Sequence, residues 1–250
     1  MDAFGLSVCV HELKSGGPMA KQLELTPRLQ LLADWVPQGT RLADVGTDHA
    51  YLPVWLILHG RVSCAIASDL RKGPLERARL TGRTYGAENI EYRLCNGLAD
   101  IRGEEVDTIA IAGMGGETIA AILSAAPWTK DGKHTLLLQP MTRSAQLRQY
   151  LMENGYVITR EALVRDRGTI YPVMEVKAGE MELTLGQLHG GAGLLHDPLG
   201  DRYIIEKIIR LQGAVVGLSR SADPAKADAV RDTITALMEM REEWRHANCP

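Results

Sequence analysis

Two carboxylates and a short run of glycines hold most of the chemistry in this sequence. Asp44 ends the apolar string Leu42-Ala43-Asp44-Val45, and Gly46-Thr47-Asp48-His49 follow at once. An apolar strand ending in an acid, then a glycine turn, then a helix is where a doubly wound sheet binds a nucleotide. Gly46 is the only glycine in that turn. The fingerprint that brings backbone close to a pyrophosphate is therefore missing. A phosphate-free ligand with an α-amino group and a carboxylate suits the turn better. Asp44 attracts the ammonium group, and the loop N–H groups hold the carboxylate. S-adenosylmethionine is such a ligand. The plainer alternative makes Asp44 a cap of the next helix.

Asp69 lies 25 residues after Asp44, at the end of a second apolar run. A carboxylate there accepts both ribose hydroxyls and disfavours the 2′-phosphate of NADP. Leu70, beside it, belongs to the same expected cofactor wall. Asn96-Gly97 follows a third run and points to the adenine edge. Ala112-Gly113-Met114-Gly115-Gly116 follows a fourth, where glycines keep the backbone low enough for a flat substrate to reach a methyl group. Met114 packs on adenine or cofactor, or simply fills a gap.

These positions need elements to carry them. Thr26-Pro27 starts a helix with a capping hydroxyl and a proline at the first helical position, and Pro37 and Gly39 stop it. Strand patterns at 41–45, 62–68, 90–95, 106–112 and 135–139 then alternate with helical patterns at 51–59, 74–85, 117–123 and 144–154. Gly60, Gly86 and Gly155 fall just past helix ends, where a left-handed residue is wanted. Alternation of this kind predicts right-handed crossovers and a parallel sheet covered on both faces. Two strand-like runs, 156–164 and 169–176, are joined by Arg165-Asp166-Arg167-Gly168 and predict a terminal antiparallel hairpin. The expected fold class is α/β, a Rossmann-like sheet that resembles the sheet of class I methyltransferases, with a C-terminal α-helical hairpin. That hairpin is read from Ile204, Ile208, Leu211, Val215 and Leu218, answered by Ala227, Val230, Ile234, Leu237 and Trp244, with Arg241 interrupting the stripe. The expected division is 1–18, a non-native or disordered extension; 19–180, the catalytic domain; and 181–250, the coiled-coil-like helical part.

The motifs LADVGTDHAYLP (42–53), IAGMGGETI (111–119), LLLQP (136–140) and LVRDRGTIYPVMEV (163–176) occur in this order. With them the chain resembles the bacterial TrmK family of tRNA (adenine-N1)-methyltransferases, from about Leu25 to Val176 and more loosely through the tail. One departure is Met141 after Gln139-Pro140, where an asparagine is expected in relatives. The resemblance implies methyl transfer from S-adenosylmethionine to N1 of adenine 22 in tRNA. On that reading Asp48 contacts N6 and accepts or relays its proton, and His49 and Tyr51 hold cofactor or base. The alternative for all three is structural, with Asp48 as a helix cap and the two rings packed on the sheet.

Composition sets the outer bounds. The chain has 250 residues, 45% of them apolar, and a formal net charge of −3. No apolar run is long enough to cross a bilayer, and residues 6–10 are too short for a secretory signal. Cys9, Cys64, Cys95 and Cys249 are scattered, so no metal site or disulfide framework is expected, and a cytoplasmic setting fits. Cys64 reads as a core residue. Low net charge argues mildly against nucleic acid, but basic residues cluster at Arg71, Lys72, Arg77, Arg79 and Arg83, and again at Arg143, Arg148, Arg160, Arg165 and Arg167. These are either solvated faces or phosphate contacts. The partners expected are tRNA and no membrane, for a monomer or weak dimer. The rivals are a nicotinamide dehydrogenase, a small-molecule methyltransferase, and a tRNA-binding module without catalysis.

Overall fold

In the computed structural model, residues 23–218 and 224–248 are described. The proposed 1–18 extension and the 219–223 link lie outside them. Helix α1 (Pro27–Trp35) opens the fold, with Pro27 at its start as expected. The Thr26 hydroxyl does not cap it, and its Oγ1 is buried without a partner. Seven strands follow: β1 (Thr40–Val45), β2 (Val62–Asp69), β3 (Ile90–Leu94), β4 (Thr108–Gly115), β5 (Thr135–Thr142), β6 (Tyr156–Asp166) and β7 (Thr169–Ala178). Between them run α2 (Tyr51–Leu58), α3 (Lys72–Tyr85), α4 (Gly116–Ser124) and α5 (Ser144–Glu153). The expected helix-end glycines Gly60, Gly86 and Gly155 all have positive φ.

The sheet order is β3-β2-β1-β4-β5-β7-β6. β1 through β5 pair in parallel, while β7 is antiparallel to both β5 and β6. The order reverses at β1, where β2 lies on one side and β4 on the other. A crevice opens at such a point because the chains leaving the two strands depart to opposite faces. Apolar side chains cover both faces. One layer packs Ile109, Ile111, Leu136, Leu138 and Val176 with Ile119 and Leu123 of α4 and Leu147 and Leu151 of α5. The other packs Leu42, Ala110, Leu137 and Val173 with Leu32 and Trp35 of α1 and Leu52 and Leu56 of α2.

Cys64 departs from expectation, because it is exposed. The link from β3 to β4 holds only a single 3-10 turn at Gly103–Glu105. The lower part of β2 therefore lines an open cavity of about 650 Å³ with Arg41, Glu91 and Arg102. Arg148 departs too. It is buried against Glu161 at 2.6 Å, both side chains having no exposure, so it holds the core together and offers nothing to phosphate.

Beyond the sheet, α6 (Leu185–Gly190) starts on a capping box between Thr184 and Gln187. Helices α7 (Gly200–Leu218) and α8 (Pro224–Asn248) then form the antiparallel pair read from the heptad stripe. Ile204, Ile208 and Leu237 are its buried seam, with Leu211, Ile234 and Met240 packed on them. Arg241, the break in that stripe, bonds Asp201 at 2.7 Å. Trp244 donates to the Asp197 carbonyl at 3.1 Å. Tyr203 turns the other way and packs with Leu163, Ile170 and Leu194, which fastens the hairpin to β6 and β7.

Candidate active site

The carboxyl ends of four adjacent strands form one rim. Val45 pairs with Ser68 on β2 and with Ile111 on β4, and Asp69 pairs with Leu94 on β3. Asp44, Asp69, Asn96 and the 112–115 segment therefore lie along one edge, as the sequence predicts. A cavity of about 160 Å³ opens at the order reversal. It gathers Asp44, Gly46, Thr47, Asp48, His49, Tyr51, Ala112 and Gly113, together with Arg28, Leu29 and Leu52. Asp69, Leu70, Asn96, Gly97, Met114 and Gly115 are not in its lining. The first four of these sit further along the rim toward β3. Leu70 there is 63% exposed, an uncovered apolar face beside the Asp69 carboxylate.

Asp44 is buried and accepts a hydrogen bond from the Thr47 hydroxyl at 2.5 Å. It does not cap α2, whose first flanking residue is Ala50 in a left-handed conformation. Burial pushes its carboxyl up to about 6; Thr47 partly opposes the shift and the charge of Asp69 adds to it. Such a group gains most from a cation beside it. Asp69 accepts from the Arg71 N–H at 2.9 Å and, more weakly, from the Asp48 N–H at 3.4 Å.

The turn uses two of its own N–H groups. The N–H groups of Gly46 and Thr47 both donate to the Ser68 carbonyl, at 2.9 and 2.8 Å. Those two are engaged within the fold, so two donors are lost from the cradle a pyrophosphate would use. Gly46 has φ of +73°, and a Cβ there would meet the Met114 methyl at 2.1 Å. Met114 thus packs under the turn, away from the cavity lining.

The residues that sequence reading missed are Arg28 and its partners. Arg28 donates through Nε to Asp166 at 2.6 Å and through Nη1 to Gln139 at 2.8 Å. Its guanidinium also lies 5.3 Å from the centre of the Tyr171 ring. The Gln139 oxygen accepts from the Gly113 N–H at 3.2 Å. A helix, two strands and the β4 glycine loop are thereby tied at one point on the cavity wall. No hydrogen-bond partner holds Nη2 of Arg28 among the described residues. The sequence holds no local signal for this bridge, because Gln139 and Asp166 lie 111 and 138 positions from Arg28.

Asp48 has φ of +50° and is exposed, bonded to Arg77 at 2.7 Å and lying 3.7 Å from the His49 ring nitrogen. His49 and Tyr51 stack in parallel, 5.2 Å between centroids and 4° between planes. Neither ring packs in the core. Together they make a half-exposed aromatic shelf at the cavity mouth, with a carboxylate beside it. Among the described residues no group of three or more His, Cys, Asp or Glu is placed to hold a metal ion.

Comparison with known proteins agrees with this geometry. Residues 25–174 match the family model described as "Methyltransferase domain". The tRNA (adenine(22)-N(1))-methyltransferase of Bacillus subtilis is 36% identical over 178 residues, 71% of this chain and 75% of that protein. The crystal structure of the B. subtilis M1A22 tRNA methyltransferase TrmK superposes with a TM-score of 0.74 at 30% identity, covering 90% of this chain and 99% of that one. A Streptococcus pneumoniae structure in complex with S-adenosyl-L-methionine superposes with a TM-score of 0.78 at 33% identity, covering 87% and 100%. Fold and site together define a class I methyltransferase. Within that class the chain belongs to the TrmK family of tRNA (adenine(22)-N1)-methyltransferases.

Proposed function

We propose that this chain transfers a methyl group from S-adenosylmethionine to N1 of adenine 22 in tRNA. The observation that supports the reading is the pairing of Asp44 and Arg28 in the lining of one cavity, beside a turn whose Gly46 and Thr47 N–H groups are already bonded to the Ser68 carbonyl. That combination suits a zwitterionic amino-acid end and takes two backbone donors from the cradle a pyrophosphate would use, which disfavours a nicotinamide dinucleotide. Asp44 holds the ammonium group, Nη2 of Arg28 meets the carboxylate, and Asp69 accepts the ribose hydroxyls. Leu70, Asn96 and Gly97 flank the adenine of the donor.

The donor supplies an electrophilic methyl group on a sulfonium. Neutral adenine N1 has a lone pair and needs no base to expose it. The residues here therefore act mainly by positioning, which can contribute on the order of 7–11 kcal/mol at best. Ala112 and Gly113 line the approach, and a Cβ at Gly113 would meet nothing within 4 Å beyond its own chain neighbours. The His49–Tyr51 shelf receives the flat base. Methylation leaves a positive charge on the purine; on this reading a proton lost from N6 passes to Asp48, at the mouth of the cavity. Because N1 lies on the Watson–Crick edge, the target nucleotide must leave its stack before it can enter.

No helix among the described residues is long and apolar enough to cross a membrane. We place the enzyme in the cytoplasm as a monomer or weak dimer, which light scattering checks. The deciding experiment incubates the protein with labelled S-adenosylmethionine and unmodified tRNA and maps the product. 1-Methyladenosine at position 22 is expected. Label confined to a small molecule, or tRNA binding without transfer, would overturn the proposal.

A further inference from the structure

A second groove adjoins the donor cavity on the side of the helical hairpin. It consists of two neighbouring cavities of about 100 and 340 Å³, and Arg143, Ser144, Lys207 and Arg210 line both. Continuity with the active site runs through Tyr171, which lines the smaller cavity and carries the Arg28 guanidinium on its ring. It also runs along β5, whose Gln139 ties to Gly113 and whose last residues, Pro140 to Thr142, form the groove's inner wall.

The cations of this groove have little to do within the fold. Arg210 has no ion pair or hydrogen bond among the described residues. Lys207 makes one long contact to the Ser144 hydroxyl, at 3.4 Å, and lies 4.6 Å from the Tyr203 ring centre. Arg143 reaches Glu117 only at 4.0 Å, with both side chains exposed. Among the described residues Glu206 is the only carboxylate lining either cavity, and it is bonded to Arg202 at 2.7 Å. The local potential registers on two neighbours. Burial opposes ionisation of Tyr203, yet Lys207 and Arg148 hold its phenol below the ordinary value. Burial lowers the His189 imidazole, and the same two cations lower it further. Three little-used cations around one groove, in a chain of net charge −3, are a feature that folding does not need.

We propose that Arg143, Lys207 and Arg210 seat a backbone phosphodiester next to the target adenosine, gripping the RNA where the sheet meets α7. The inference rests on the tRNA reading above. Guanidinium forks match the two non-bridging oxygens of a phosphodiester, and Lys207 adds a point charge. One wall of this seat belongs to β5 and α5 and the other to α7, so the hairpin's placement sets the distance from phosphate to methyl donor.

The test compares the intact chain with Lys207→Gln/Arg210→Gln. Readouts are tRNA binding over a range of KCl, steady-state methylation, calorimetry with S-adenosylmethionine, and thermal unfolding. We expect tRNA affinity to fall about tenfold or more and the slope of log affinity against log salt to become shallower by about 1–2. KM for tRNA should rise while kcat, donor affinity and Tm stay near wild type. Lys207→Arg should keep wild-type behaviour, as should Arg102→Gln at the opposite end of the sheet. A wild-type chain that methylates tRNA while the double variant binds with unchanged affinity and slope would overturn the seat alone. A wild-type chain that neither binds nor methylates tRNA would overturn the functional reading and the seat with it. Equal loss in Arg102→Gln would show diffuse attraction and likewise reject a defined seat.

Discussion

Asp44 gives the residue scale its sharpest expectation. Its carboxyl, raised to about 6, holds a proton more firmly in the folded chain than in the unfolded one. The ionised form thus carries a folding penalty above about pH 6, which disappears as pH falls from there toward the unfolded value near 4. A bound ammonium reverses this preference, because it needs the ionised form. Affinity for S-adenosylmethionine should be level above about pH 7 and weaken about tenfold per unit below about pH 6, by calorimetry. Asp44→Asn should remove that dependence and cost on the order of 1.5–3 kcal/mol of binding. Asp48→Asn keeps a residue that tolerates the left-handed backbone, and because the N6 proton leaves after methyl transfer it should spare donor affinity and the single-turnover methylation rate while slowing steady-state turnover. Asp44, Asp69 and Asp48 were legible from sequence because each ends a strand or opens the following turn. Arg28 was not, because its partners Gln139 and Asp166 lie 111 and 138 positions away. Only the finished sheet brings them together.

Among elements, the turn after β1 and the α1 bridge are the two most exposed to test. Gly46→Ala would place a Cβ against the tip of Met114 at a φ of +73°. It should lower Tm and donor affinity together. Adding Met114→Ala should recover the steric part and leave the backbone strain, about 1 kcal/mol, unrelieved. Arg28→Ala leaves the buried Asp166 carboxylate without its partner. Urea unfolding should show a loss of about 2 kcal/mol, and kcat/KM should fall as the Gly113 loop loosens. The alternation of elements was readable because buried parallel strands are apolar runs while the helices between them keep a 3.6-residue period. What escaped notice was short or locally bonded: α6, with six residues, and the 3-10 turns at Gly103–Glu105 and Pro127–Lys130. Three or four residues cannot display a period. Cys64 was misread because an apolar run does not tell whether a helix will cover it, and here the β3–β4 link supplies none.

On the scale of the molecule, Arg148 and Glu161 join the sheet to everything that follows it. Arg148 also donates to the Leu188 carbonyl at 2.8 Å, and Glu161 accepts from the Ala192 N–H at 2.6 Å. Arg148→Met strands a fully buried carboxylate and should cost about 3–5 kcal/mol by denaturant titration. Composition had marked Arg148 as one more surface cation, since a charge run carries no sign of which member turns inward. The hairpin's far half has a different standing. Residues 212–214, 216 and 217 are exposed, so shortening the tip should spare Tm and donor affinity while weakening tRNA binding. The sheet order carries a consequence for synthesis. β7 lies between β5 and β6, although it is made after both. A nascent chain that has emerged only as far as residue 168 holds β6 with no neighbour and β5 with a bare edge. Such edges recruit foreign strands. Ribosomes stalled in that interval should therefore yield chains that a holdase captures, and release past Ala178 should end the capture.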